Sequence, residues 1–323
     1  MDPSLDPSFD LGAELLPALL SRCLGRPVTP VHSSVLTGGT YNTAYRVVLP
    51  EAPVVLKIAP PPLRPTLRYE RQAMRVEARA MRLARTHTRA PLPDLLGTDF
   101  SRTLVPADAL VMAFLPGQPL HEVRPRLSAA GRLAVDRQIG RHLRALHEAT
   151  GPVFGHLLDG ERQHPSWRAA FGDMVGDVLE DARRVGVSLP ADEIRDVLAR
   201  HAPLLEAVTR PSLLLWDSWD GNIFVDPGDP EPRVTGFIDF ERALWGDPLA
   251  ESQLLLRRAH PAFAEGYGRD LLATPEDRLR RALYDLHLLL VMTVECTYRA
   301  LGPDSYEAWA REQLGRVLDE LRA

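Results

Sequence analysis

LLLWDSWDGNIFV, residues 213–225, decides how the chain reads. Two carboxylates and an amide, Asp217, Asp220 and Asn222, lie between two apolar, strand-like runs and beside Trp216 and Trp219. A charge taken out of water is costly unless something pairs it, so acids in such a place need a partner. Downstream, DPGDPEP (226–232) is a turn rich in Pro, Gly and Asp, and RVTGFIDF (233–240) returns as a strand. The stretch 223–240 is therefore predicted to be a β-hairpin. Asn222 starts the outgoing arm and Asp239 ends the returning arm. Arms of similar length bring both residues to the open end, beside the loop that holds Asp217. Three oxygen-bearing side chains converge there. Such oxygens suit a hard cation like magnesium, which keeps waters and phosphates as its other ligands.

The chain has 323 residues, 45% hydrophobic and 25% charged, enough for two lobes around an ample core. A net charge of −5 argues against nucleic acid as the main partner. The two cysteines, Cys23 and Cys296, form neither a zinc spacing nor a disulfide framework. MDPSLDPSFD (1–10) lacks the basic and apolar regions of a signal peptide. LYDLHLLLVMTVECTYRAL (283–301) contains Asp285, His287 and Glu295, so it reads as a buried helix rather than a membrane span. A cytoplasmic protein is expected.

Of the 38 basic residues only Lys57 is a lysine. Arginine replaces lysine wherever charge alone matters, as GC-rich coding would bring about. A position that keeps lysine is then one that needs a compact ammonium. Lys57 lies in APVVLKIA (52–59), a strand-like run stopped by Pro60, Pro61 and Pro62. Residues 67–89 read as one long helix. Glu70, Met74, Glu77, Met81 and Ala84 share a face, and an arginine stripe on another face reads as solvated. ALVMAFLPGQPL (109–120) is an apolar strand ending in a Pro-Gly turn. Helical patterns then dominate over 128–150, 166–186 and 192–208, and from 240 to the last residue. Residues 1–115 carry thirteen basic and ten acidic groups, or +3, which leaves −8 for 116–323.

DSWDGN (217–222) followed by GFIDFERALWGDP (236–248) resembles the aminoglycoside phosphotransferase family of the protein-kinase-like superfamily. The resemblance implies an α+β, bilobal protein-kinase-like fold. Residues 1–115 would be the nucleotide-binding lobe, an antiparallel sheet plus a helix. Residues 116–323 would be a mostly helical lobe holding the catalytic loop and acceptor site. It implies Asp217 as the catalytic base, Asn222 as a magnesium ligand and Asp239 as the bridging ligand. LTGGTYNTAYRV (36–47) is similar to the phosphate loop, through Gly38 and Gly39. VVLKI (54–58) is similar to the strand of the phosphate-binding lysine, Lys57, with Glu77 as its partner and Glu70 as the rival. ALVMAFLPG (109–117) is similar to the hinge, where the backbone of Ala113 and Leu115 would meet adenine and Met112 would line the pocket. IGRHLRALHE (139–148) is similar to the first large helix of the second lobe, with His147 structural.

Two positions depart from the family pattern. Leu215 stands where a histidine is usual, with Trp216 and Trp219 as alternative packing, and Glu251 in GDPLAE (246–251) stands where aspartate is usual. The function implied is transfer of the γ-phosphate of ATP, with Mg2+, to a hydroxyl of a small molecule such as an antibiotic. A catalytically silent nucleotide-binding protein and a kinase of an amino-alcohol metabolite are the alternatives. A protein kinase is disfavoured, because no A-P-E segment follows Asp239. The −8 balance points to a cationic or neutral acceptor, with Asp285, Glu295, Glu307 and Glu312 as candidate acids. No nucleic-acid or membrane partner is expected, and the assembly would be a monomer or homodimer.

Overall fold

A computed structural model describes residues 11–322, except 13, 38–40, 61–64, 159, 161, 229–230, 256–260 and 303–305. The chain first builds an antiparallel sheet from β1 (His32–Leu36), β2 (Thr43–Val48), β3 (Pro53–Ile58), β4 (Leu95–Asp99) and β5 (Ala109–Ala113), in the order β1-β2-β3-β5-β4. Alternation divides its side chains between two faces. Val54, Leu56 and Ile58, with Tyr45 and Val47, form a small core with Leu16, Leu19 and Leu20 of helix α1 (Leu15–Leu24). Lys57 stands opposite Ala44 and Leu110 in the ladder. It therefore shares the other face with Leu110 and Met112, which join the larger core.

The helix predicted over 67–89 is interrupted. Arg68–Glu70 is a 3-10 turn, Gln72 takes a left-handed φ of 64°, and α2 runs from Ala73 to His87. Glu70 therefore does not share a helical face with Glu77. Its carboxylate instead accepts the N–H of Leu67 at 2.8 Å.

After β5 come β6 (Gln118–Pro119), α3 (Leu120–Val123), α4 (Ala129–His147), β7 (Phe154–His156), β8 (Gln163–His164) and α5 (Trp167–Arg184). The helix predicted over 192–208 is two, α6 (Ala191–Arg200) and α7 (Ala202–Glu206), broken at His201 ahead of Pro203. The hairpin predicted over 223–240 is β10 (Ile223–Asp226) and β11 (Arg233–Phe237), with β6 added at its edge. The strand that enters the opening stretch, β9 (Ser212–Leu214), pairs instead with β12 (Leu244–Gly246), in a sheet ordered β8-β7-β12-β9. Two loops thus start from paired strands: 215–222 follows β9, and 238–243 leads into β12. Helices α8 (Pro261–Tyr267), α9 (Pro275–Tyr298) and α10 (Glu307–Arg322) complete the chain. Among the described residues no helix is long and apolar enough to cross a membrane. Both cysteines are free and buried.

Candidate active site

Glu251 shapes the loop after β9. Its buried carboxylate accepts the Leu215 N–H at 2.7 Å and the Ser218 hydroxyl at 2.7 Å, and His147 Nε2 lies 3.2 Å away. His147 Nδ1 is in turn 2.9 Å from the Tyr267 hydroxyl. Residue 215 thus contributes a backbone N–H and a buried apolar side chain, and the glutamate supplies the polar anchor. Trp216 is buried with a left-handed φ of 62°, a strained conformation for a residue with a side chain. It packs against Tyr69 and His287 at centroid distances of 6.1 and 5.4 Å. Trp219, expected to pack, is half exposed and stacks on His121.

The three polar residues of the opening stretch have different surroundings. Asp220 pairs with Arg124, which also holds Asp136 at 2.9 Å, so this acid ties the loop to α4. Asn222 sits in a 3-10 turn one residue before β10. Its Nδ2 donates to the Asp217 carbonyl at 2.9 Å, and its own carbonyl accepts the Ile238 N–H at 2.9 Å. Burial pushes the Asp217 carboxyl above its usual range. Arg242, with Nε 3.6 Å from Asp217 Oδ2, pulls it down, and Asp239 and Glu295 add to the upward push.

On the facing lobe Lys57 Nζ lies 2.7 Å from Glu77 Oε2, 2.6 Å from Asp239 Oδ1 and 3.5 Å from Glu241 Oε2. Burial works against the ammonium, but these three carboxylates hold its pKa well above the usual range. Glu77 also accepts the Phe240 N–H at 3.4 Å, so α2 holds both the lysine and the segment after β11. Glu70 is engaged elsewhere: its carboxylate pairs with Arg299 at 3.2 Å.

Glu77, Asp239 and Glu241 each bring a carboxylate oxygen within 4.8 Å of the others. Burial, and then Asp239, push the Glu241 carboxyl up to about 8. Carboxyl oxygens of this kind fit magnesium. The donor bond of Asn222 Nδ2 leaves its oxygen as the end of the amide that suits a cation. Asp239 has a left-handed φ of 64°, so backbone strain occurs on both sides of the site.

Arg242 was not singled out in the sequence. Its guanidinium lies over the rings of Tyr69 and Trp216, 5.0 and 5.5 Å from their centroids, and pairs with Glu295 at 3.1 Å as well as with Asp217. A chain with 37 arginines hides it, and its position three residues after Asp239 is the only signal. Of the candidate acceptor acids, Asp285 is buried against Arg281 at 2.6 Å, and Glu295 is buried among Arg242, Arg299 and Tyr306. Glu307 and Glu312 pair along α10 with Arg311 and Arg316. Met112 is buried beneath the sheet face that carries Lys57. The Ala113 N–H already donates to Asp94 O at 2.9 Å, so it offers adenine no donor. Leu115 packs over Gly236. Gly38 and Gly39 lie outside the described residues.

No curated protein matches the chain. Solved structures share its fold. A candidate fructosamine-3-kinase from Haemophilus somnus 129PT aligns with a TM-score of 0.67 at 19% identity, over 94% of this chain and 96% of that one. Aminoglycoside phosphotransferase APH(4)-Ia, as a mutant in a ternary complex with AMP-PNP and hygromycin B, aligns with a TM-score of 0.64 at 18% identity, over 94% and 98%. The streptomycin–ATP complex of APH(2″)-IIa aligns with a TM-score of 0.62 at 14% identity, over 97% and 99%. At these identities the likeness establishes the fold, a protein-kinase-like one with an N-terminal sheet and a helical C-terminal region. The model of the phosphotransferase enzyme family matches residues 32–284, so the chain belongs to that family and is an ATP-dependent small-molecule kinase.

Proposed function

We propose that the chain transfers the γ-phosphate of ATP to a hydroxyl of a small hydroxylated compound of antibiotic type, in the cytoplasm, with residues 1–115 and 116–323 as its two lobes. The observation that carries this reading is Lys57 held between Glu77 and Asp239, opposite a loop that presents Asp217. In this reading Lys57 holds ATP phosphates, and Asn222 and Asp239 are the residues that would hold magnesium. When bound, the metal supplies positive charge against the phosphate oxygens. Asp217 orients the acceptor hydroxyl and takes its proton as the oxygen bonds to the γ-phosphorus and the bond to ADP breaks. Arg242 opposes the upward push of burial on Asp217 and favours its ionised form. Phosphoryl transfer demands mainly positioning and electrostatics, and these residues supply both.

The test is ADP release with Mg-ATP across a panel of hydroxylated natural products and amino alcohols, with products weighed by mass spectrometry. Asp217→Asn is expected to lower acceptor-dependent turnover by ~10²–10⁴ while ATP still binds. Near-normal turnover in that variant would remove Asp217 from the chemistry. ATP binding without transfer to any acceptor would favour a silent nucleotide-binding protein.

A further inference from the structure

Asp217 is held through its backbone. Its side chain is 20% exposed, and among the described residues no hydrogen bond reaches its carboxylate. Arg242 Nε stands 3.6 Å away and is buried without a hydrogen-bond partner. The chain on either side of Asp217 is tied instead to two consecutive residues beyond β12. The Trp216 carbonyl accepts the Ser252 N–H at 3.3 Å, and the Ser218 hydroxyl donates to Glu251 Oε2 at 2.7 Å. The Leu215 N–H reaches the other oxygen of the same carboxylate. A further hold, from Asn222 Nδ2 to the Asp217 carbonyl, lies within the loop.

Of the three ties to residues 251 and 252, those at Leu215 and Trp216 use backbone atoms. Ser218 uses its side chain, so this tie alone depends on which residue stands in the loop. Ser218 and Glu251 are each 1% exposed, and a bond from a hydroxyl to a carboxylate is short and strong for its kind. The ties at 216 and 218 also bracket a strained residue, since Trp216 has a φ of 62°. Such a conformation persists only where the surroundings over-determine it. Loosening the tie at 218 lets Trp216 relax, and a change in its backbone angles redirects the next side chain, Asp217.

Building on the kinase reading, we propose that Ser218 is a positioning residue for Asp217: its hydroxyl, pinned on Glu251, holds the loop so that the Asp217 carboxylate meets the attacking hydroxyl. Ser218 itself touches no reacting atom. In the transfer, the attacking oxygen bonds to the γ-phosphorus, its proton passes to Asp217, and ADP leaves with the electrons of the broken P–O bond. A misplacement of about 1 Å is enough to cost roughly a hundredfold in rate. Nucleotide binding rests on Lys57, which Glu77 holds on the facing lobe, and is independent of this pin.

The test uses the full chain with water, the smallest acceptor. Single-turnover release of phosphate from γ-labelled Mg-ATP reads the rate, calorimetry reads ATP affinity, and thermal midpoints report folding. Ser218→Ala should slow release roughly ten- to a hundredfold while ATP affinity stays unchanged. Ser218→Cys fills the same space with a weak donor and should lose rate as well; it guards against an alanine variant that fails to fold. Adding Ser218→Ala to Asp217→Asn should lower the residual rate less than about twofold, because a residue that acts through Asp217 then has nothing to position. The proposal is overturned if folded Ser218→Ala releases phosphate like the parent, if Ser218→Cys keeps the parent rate, if ATP affinity falls along with the rate, or if Ser218→Ala costs as much without Asp217 as with it. Failure of the kinase reading has a different signature: a parent that releases phosphate no faster than Asp217→Asn, or ATP binding that is unaffected by Lys57→Ala.

Discussion

His287 sits between Trp216 and Phe171, 5.4 and 5.6 Å from their ring centroids, and burial depresses its pKa to about 4 from 6.5. A depressed pKa in the folded state means that the unfolded chain takes up the proton first. The stability associated with a neutral His287 is whole above pH 6.5 and is lost as the pH falls toward 4, about 3 kcal/mol in all. His287→Gln should therefore show a flatter fall in stability between pH 7.5 and 5 than the parent, read from urea midpoints. Parallel pH profiles would exclude the effect. His142, also depressed to about 4 by burial, is common to both chains and cancels in the comparison.

Among the elements, the loop after β9 depends on a residue thirty-six positions beyond Leu215. Glu251→Ala would leave the Leu215 N–H, Ser218 and His147 facing a cavity. A buried donor stranded in this way costs about 1–3 kcal/mol. The thermal midpoint should fall, and turnover should fall further than ATP affinity, because the loop carries Asp217 and not Lys57. Glu251→Gln, which retains one acceptor oxygen, should fall between the two. Equal loss of ATP affinity and turnover in Glu251→Ala would argue against a specific hold on the loop.

The same elements mark what could be read from the sequence. The hairpin 223–240 was legible because turn residues separate two arms of β-prone residues. Strands β7, β8 and β12 were not, because two or three residues carry no alternation. Glu77 and Glu70 could not be separated by periodicity, since Gln72 breaks the helix between them and nothing local to that position announces a left-handed residue. Glu251 read as a departure from a pattern, and its role lies in contacts with chain distant in sequence. Arg242 carried no signal beyond its distance from Asp239.

At the scale of the molecule, the segment before α2 fastens the sheet-bearing part of the chain to its helical part. Arg68 pairs with Asp177 and Asp181 of α5, and Glu70 pairs with Arg299 just beyond α9. Arg68→Ala should cost about 1.5–3 kcal/mol, the range for hydrogen bonds to charged groups. It should also speed amide exchange in 67–70 and the C-terminal half of α5 before it affects β2 and β3. Uniform acceleration across the sheet would mean that the contact supports global stability rather than the junction.

The lone lysine has a consequence outside the chemistry of phosphate. A protease that cuts only after lysine has one target in the whole chain, and that side chain is 10% exposed, near the end of β3, and clamped by carboxylates. Cleavage into pieces of 57 and 266 residues therefore requires the strand to leave its sheet. The rate at which those two bands appear becomes a gauge of how often the cleft comes apart. A bound nucleotide should slow it in proportion to its occupancy, with no acceptor, label or activity needed to read the result.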